Sequence, residues 1–210
     1  MKIIPFTYCG FFDLYANTYV LVDDNDDAII IDPGKEDASL ISFLKESQIT
    51  PKAIFLTHGH FDHIRGVDNL VKEFNIPVYI NEKDEELLTN PHLNCSDRFS
   101  RTRVTVSSAC NTFKDGDKIS ILLEPVQVIE TPYHTEGSSC FYLKDSGLLF
   151  SGDSLFKGSV GRSDFPTSNP LKMEASLRKI LSLPEEVKIY PGHNEETTTK
   201  EERVSNQFVK

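Results

Sequence analysis

Four apolar runs in this chain each break off at a histidine or an aspartate. Residues 52–56 lead into Thr57-His58-Gly59-His60-Phe61-Asp62-His63, residues 128–130 lead to His134, residues 148–150 to Asp153, and residues 187–190 to His193. Short apolar runs bounded by turn residues read as buried strands. In open α/β sheets, ligands collect at strand ends. Five of the six histidines therefore fall in one kind of position. A solvated histidine-rich turn would account for the first cluster alone, and a single histidine after a strand is more often a hydrogen-bonded core imidazole. Four repeats of the arrangement point instead to a common site.

The residue types say what such a site would hold. Neutral imidazole is the commonest metal ligand, and carboxylate adds charge. The candidate ligands are His58, His60, Asp62, His63, His134, Asp153 and His193. A catalytic zinc takes about three protein ligands and a water. Seven ligands suit two divalent cations about 3.5–4 Å apart that share a carboxylate. Asp153 is the natural bridge, because its two oxygens can each take a cation. Zinc is the first choice, with iron or manganese as alternatives, since His/Asp sites accept all three.

The remaining pattern alternates strands and helices, with no linker or repeat, and fits a single domain over residues 1–210. Strands are expected at 1–8, 17–22 and 28–31, the last two joined by an acidic turn and followed by Asp32-Pro33-Gly34. Helices are expected at 37–47 and 64–74, then a strand at 77–80 and an acidic helix at 82–88. Residues 11–15 form an aromatic loop, read as a lid or pocket wall or as core packing. Residues 90–110 show little periodicity and read as a loop over the site or on the surface, with His92 exposed. The second half reads as strands at 118–123, 126–130, 139–143, 148–150 and 187–190, with helices at 171–183 and 201–209.

A net charge of -10 and a pI near 5.1 oppose binding to phosphate backbones, so no nucleic-acid partner is expected. No apolar run reaches the length needed to span a membrane, and the N-terminus shows no signal peptide. The four cysteines form no CxxC pair and read as reduced thiols of a cytoplasmic protein, Cys140 being core packing. Oligomeric state is not legible.

His58-x-His60-x-Asp62-His63 with His134, Asp153 and His193 resembles the metallo-β-lactamase superfamily, in order over nearly the whole chain. The resemblance implies an α/β (α+β) fold, a four-layer αββα sandwich of two mixed β-sheets flanked by helices, with a dinuclear site at one edge. It implies that His58, His60 and His134 hold one metal, that Asp62, His63 and His193 hold the other, and that Asp153 bridges them. The words Thr131-Pro132-Tyr133-His134-Thr135-Glu136-Gly137-Ser138, Gly152-Asp153-Ser154-Leu155-Phe156, Gly161-Arg162-Ser163-Asp164 and Pro191-Gly192-His193-Asn194 are closest to the glyoxalase II-like branch, in its short bacterial form. True β-lactamases of this fold usually carry Cys where Asp153 stands and are exported, and the superfamily's nucleases insert a domain for which this chain has no room.

The implied activity is metal-dependent hydrolysis of a small-molecule hydroxyacyl thioester by a hydroxide held between the cations, with Asp62 and Asp153 as catalytic carboxylates. Asp32, Thr57 and Gly59 are expected to orient the ligands. Arg162 matches a basic substrate contact of that branch, although Asp164 stands where an aromatic contact is usual and an Arg162–Asp164 ion pair is the competing reading. Tyr133 and Asn194 replace usual glycines, which makes Tyr133 a second candidate substrate contact. The alternatives are a persulfide dioxygenase-like oxidoreductase using one iron on His58, His134 and Asp153, and a non-catalytic metal-binding module.

Overall fold

The strands of the first half are apolar in both phases of their alternation, so the sheet they build is covered on both faces. The computed structural model describes residues 1–8 and 14–209; residues 11–13 of the aromatic loop, and Cys9, lie outside that set. Strands β1 (Lys2–Phe6), β2 (Thr18–Val22), β3 (Asp27–Ile31), β4 (Thr50–Phe55), β5 (Val78–Asn81) and β6 (Cys110–Phe113) lie side by side in chain order. The β1–β2 and β2–β3 pairs are antiparallel, and the three that follow are parallel. Val20, Val22, Ala28, Ile30 and Ile54 pack against helices α1 (Ala38–Glu46), α2 (Phe61–Ile64) and α3 (Val67–Phe74) through Leu40, Leu44, Ile64 and Leu70. Tyr19, Leu21, Ile29, Ile31 and Phe55 point the other way, onto the second sheet. Alternate residues of a strand face opposite sides, so each strand serves two interfaces.

After the short helix α4 (Ser96–Phe99) the chain forms β7 (Lys118–Ile119), β8 (Val126–Glu130), β9 (Ser139–Leu143), β10 (Leu148–Gly152), β11 (Lys188–Pro191) and β12 (Thr197–Thr198). Their order is β12-β11-β10-β9-β8-β7, and only β10–β11 is parallel. Phe141, Leu143 and Phe150 meet the first sheet, while Cys140, Tyr142, Leu149 and Ile189 meet Leu177 and Ile180 of α5 (Met173–Leu181). Helix α6 (Thr199–Ser205) follows β12. The result is helices, sheet, sheet, helices: the expected four-layer sandwich of two mixed sheets. Among the described residues no helix is long and apolar enough to cross a membrane.

Several boundaries differ from the sequence expectation. The helix expected over 64–74 divides at Gly66, whose N–H donates to the Pro33 carbonyl at 2.7 Å. A Cβ there would stand 2.4 Å from the Lys35 carbonyl oxygen, so the break admits the 33–35 turn. Residues 82–88 form a 3₁₀ rather than an α-helix. The strand expected over 118–123 is only β7, and β6 appears where no strand was expected. The 90–110 segment is tied down by Asn94, whose amide donates to the Leu87 and Val104 carbonyls at 2.9 Å each, and His92 is exposed.

Candidate metal centre

Parallel pairing of β3 with β4 sets Asp32, just past the end of one strand, beside the turn after the other. Asp32 adopts φ 49°, a left-handed conformation that Asp tolerates better than most residues. Its carboxylate accepts the Thr57 N–H at 2.8 Å and the Thr57 hydroxyl at 2.6 Å, and meets His63 Nδ1 at 2.9 Å. His63 thereby donates through Nδ1 and leaves Nε2 free. His134 does the same, with Nδ1 donating to the Arg162 carbonyl at 2.7 Å. Such partners fix tautomer and ring orientation in metal sites. Gly59 is required by packing: a Cβ would stand 2.5 Å from the Leu87 Cβ.

The seven candidate ligands stand together. His58, His60 and His134 form one group of converging donor atoms, Asp62, His63 and His193 a second, and Asp153 joins His58 and His63 in a third. Asp153 Oδ1 lies 3.3 Å from His63 Nε2, while its Oδ2 lies 3.4 Å from His134 Nε2 and 3.7 Å from His193 Nε2. Asp62 Oδ2 is 3.2 Å from His193 Nε2. Tetrahedral zinc–nitrogen geometry puts neighbouring donors about 3.3 Å apart, so these spacings are those of a coordination shell. His60 Nδ1 and His134 Nε2 face each other at 2.9 Å. The buried Nε2 atoms of His58 and His63 and Asp153 Oδ1 have no hydrogen-bond partner. Buried polar atoms are rarely left so. The donor set fits two divalent cations.

Electrostatics divide the histidines. Burial, with neighbouring imidazoles, pushes His58 well below its ordinary value, and burial takes His60 down to about 3 and lowers His134. Burial also disfavours charge on His63, but Asp32, Asp153 and Asp62 outweigh it and raise His63 well above normal. Asp153 outweighs burial at His193 in the same sense. His63 and His193 thus hold protons that a cation must displace. Metal affinity is therefore expected to rise with pH, and titration calorimetry in two buffers of unlike ionisation enthalpy should register proton release on metal uptake. Identical heats in both buffers would contradict it.

A cleft of about 470 Å³ opens over this centre, walled by Leu14, Phe61, Phe99, Phe156, Val160 and Phe165. The 90–110 segment supplies Cys95 and Phe99, so it lies over the site as one of its two readings held. Arg162 lines the cleft, but its guanidinium donates two bonds of 2.7 Å to Asp164 and lies 4.4 Å over the Phe165 ring. Tyr133 is not a substrate contact: it is 0% exposed, and its hydroxyl donates to the Ser154 carbonyl at 2.5 Å. An aromatic ring at that position braces the Asp153 loop from below. The cleft's aromatic wall escaped the sequence reading, since Phe99, Phe156 and Phe165 are scattered through irregular segments. Asp84 escaped it too, although it bonds both ligand loops.

Gly192 leaves no room for a side chain, since a Cβ would stand 2.4 Å from Asp153 Oδ1 and 2.7 Å from His63 Cε1. Gly192→Ala is expected to cost about 1–3 kcal/mol of overpacking at the ligands. Metal content after dialysis should fall below the parent's, and full retention would show that the ligands yield freely.

Comparison with known proteins agrees with this geometry. The sequence profile described as the metallo-beta-lactamase superfamily matches residues 12–193. The probable metallo-hydrolase YqgX of Bacillus subtilis is 36% identical over 197 residues, covering 93% of each chain. The hydroxyacylglutathione hydrolase GloC of Haemophilus influenzae is 29% identical over 211 residues, covering 100% of this chain and 97% of its own. Among solved structures, the BLEG-1 B3 metallo-beta-lactamase superimposes with a TM-score of 0.92 at 37% identity over 99% of both chains. TTHA1623 in a di-iron-bound form gives 0.87 at 33% over 98% of this chain and 100% of its own, and ETHE1 from Myxococcus xanthus gives 0.76 at 27% over 100% and 84%. The chain belongs to the metallo-β-lactamase superfamily.

Proposed function

We propose that this metallo-hydrolase cleaves thioesters of the hydroxyacyl–thiol type and works with two divalent cations. The observation that carries the reading is the carboxylate of Asp153, whose two oxygens face histidines of both ligand groups beneath the cleft. His58, His60 and His134 would hold one cation, Asp62, His63 and His193 the other, and Asp153 both. Cations so held supply a nucleophilic water at neutral pH and polarise an acyl oxygen.

The protein's own groups do the rest. Burial alone would protonate Asp62 and Asp153, but the adjacent His63 and His193 hold both below the usual carboxylate range. Each stays ionised, and Asp62 Oδ2 can take up the proton that an attacking water sheds. Phe61, Phe99 and Phe165 limit water around the acyl group. The departing thiolate is the anion of a weak acid and needs little protonation. Cys95 lines the cleft, but burial pushes its thiol up to about 11, which disqualifies it as a nucleophile.

GloC's name supports the hydroxyacyl-thioester choice, and YqgX's supports a hydrolase. Zinc is our first choice of cation; the di-iron form of TTHA1623 supports iron as the alternative. Likeness to ETHE1 supports the second reading, a persulfide dioxygenase-like enzyme with one iron on His58, His134 and Asp153. We also read the protein as cytoplasmic, which the free thiols at Cys95, Cys110 and Cys140 support.

Freshly purified protein should be assayed for metal per chain and for turnover of an S-lactoyl thioester, a thiol persulfide with dissolved oxygen, and a chromogenic cephalosporin. The expected result is two cations and thioester cleavage with kcat/KM of about 10⁴ M⁻¹s⁻¹ or more. Oxygen uptake with one iron per chain would replace our reading with the second. Cleavage of the cephalosporin alone would assign the activity named for BLEG-1.

A further inference from the structure

A second hollow, of about 320 Å³, lies behind the wall of the cleft and gathers positive charge in a protein of net charge -10. Lys35, Arg65 and Arg103 line it together with Glu36. Among the described residues none of the three cations is ion-paired. Asp37 is engaged elsewhere: its Oδ2 accepts the Tyr8 hydroxyl at 2.9 Å, and its Oδ1 caps α1 through the Ser39 N–H at 2.9 Å.

Two of the cations are held in place by rings. The Lys35 ammonium lies 4.8 Å from the centre of the Tyr8 ring and 5.8 Å from that of Tyr15. The Arg65 guanidinium lies 5.5 Å from the Tyr15 ring and 5.0 Å from the Phe61 ring. Arg65 spends one donor on the Ser100 hydroxyl at 3.1 Å, while its buried Nε has no partner. Positioned cations with free donors, and one buried orphan among them, are what a carboxylate or phosphate requires.

The hollow is also joined to the centre. Phe61 lines the cleft on one side and backs Arg65 on the other. Leu14 lines the cleft and the next residue, Tyr15, lines the hollow. Lys35 follows Gly34, where a Cβ would stand 2.0 Å from the Asp62 carbonyl oxygen, so the hollow's floor is pressed onto a ligand-bearing turn. The cleft itself offers one Lys or Arg side chain, Arg162, and Asp164 already neutralises it.

We propose that this hollow binds an anionic group, carboxylate or phosphate, on the far end of the substrate's thiol carrier while the thioester lies over the metal centre. The inference rests on the thioesterase reading for the identity of the ligand, but not for the existence of the site. It gives the protein a preference for thioesters of charged carriers over neutral ones.

The test has two arms on metal-loaded protein. In the first, backbone amide NMR shifts are followed while inorganic phosphate or propane-1,2,3-tricarboxylate is added, in the parent and in Arg103→Glu, a change at an exposed side chain. Saturating shifts at Lys35, Arg65 and residues 102–105 in the parent, lost in the variant, are expected. Saturation by phosphate alone identifies a phosphate-bearing carrier, and by the tricarboxylate alone a carboxylate-bearing one. No shift there with either probe, or shifts that survive Arg103→Glu, would overturn the site.

In the second arm, kcat/KM for an S-lactoyl thioester of a phosphorylated or carboxylated thiol is divided by that for a neutral thiol. Arg103→Glu is expected to lower the ratio about tenfold, the size of one charge-assisted contact. An unchanged ratio overturns the carrier assignment. If no thioester is turned over, the proposed activity fails while the NMR arm still decides the hollow.

Discussion

Alanine at Asp153 is expected to reduce thioester turnover by about 10³-fold or more, the loss of several kcal/mol of metal-centred stabilisation. Other ligands face one group of donors; this carboxylate touches both, through oxygens 3.3 Å from His63 Nε2 and 3.4 Å from His134 Nε2. Its removal therefore takes a donor from each cation and leaves two imidazole clusters to repel each other's charge. Metal per chain should fall well below two. Asp62→Ala sharpens the experiment, since Asp62 belongs only to the group with His63 and His193. A dinuclear enzyme loses one cation and most activity with that change. A single iron on His58, His134 and Asp153 would survive it at full content. Parent-level turnover in Asp153→Ala would end the mechanism.

The positions of these ligands were legible because they follow strands, and the strands were legible because both of their faces are apolar. Residues 29–31 and 52–56 could be nothing but buried sheet, and whatever follows such a strand is held rigidly at its end. What the sequence hid depends on contacts between distant segments. The break at Gly66 exists because the Pro33 carbonyl takes its N–H, which no local pattern announces. Strand β6 has two exposed residues in its middle and so resembles a loop. Tyr133 looked like an intruder in the pocket because its neighbour is a ligand; the Ser154 carbonyl that turns it inward lies 21 residues away in the chain. Asp84 sat unnoticed in an acidic stretch, Glu82-Lys83-Asp84-Glu85-Glu86, that reads as a solvated surface.

Asp84→Ala is expected to be the most destabilising single change away from the ligands. The side chain is completely buried and ties together loops from the two sheets. It accepts the Gly59 N–H at 3.0 Å, between His58 and His60, and the Thr135 hydroxyl and Gly137 N–H at 2.7 Å each, just after His134. Gly137 permits this approach, because a Cβ there would stand 2.6 Å from Asp84 Oδ1. Alanine leaves three buried donors unsatisfied, at about 1–3 kcal/mol each before relaxation, so a net loss of roughly 3–4 kcal/mol follows. For a chain of this size that lowers the melting temperature by about 10 °C. Burial raises the Asp84 carboxyl from 3.8 to about 6 in spite of its hydrogen bonds. A folded pKa above the unfolded one means that the group's contribution is greatest below pH 4 and declines as pH rises through 6. The variant lacks that decline, so the gap between parent and variant should narrow from pH 5 to pH 7. Because the His58–His60 loop then loses its tether to the His134 loop, metal affinity should also weaken by about 10–100-fold well below the melting temperature. Calorimetric melts at both pH values, with metal content at low temperature, read the two effects separately. A variant that melts with the parent and keeps its metal would show that the two sheets hold their ligand loops in register without this carboxyl.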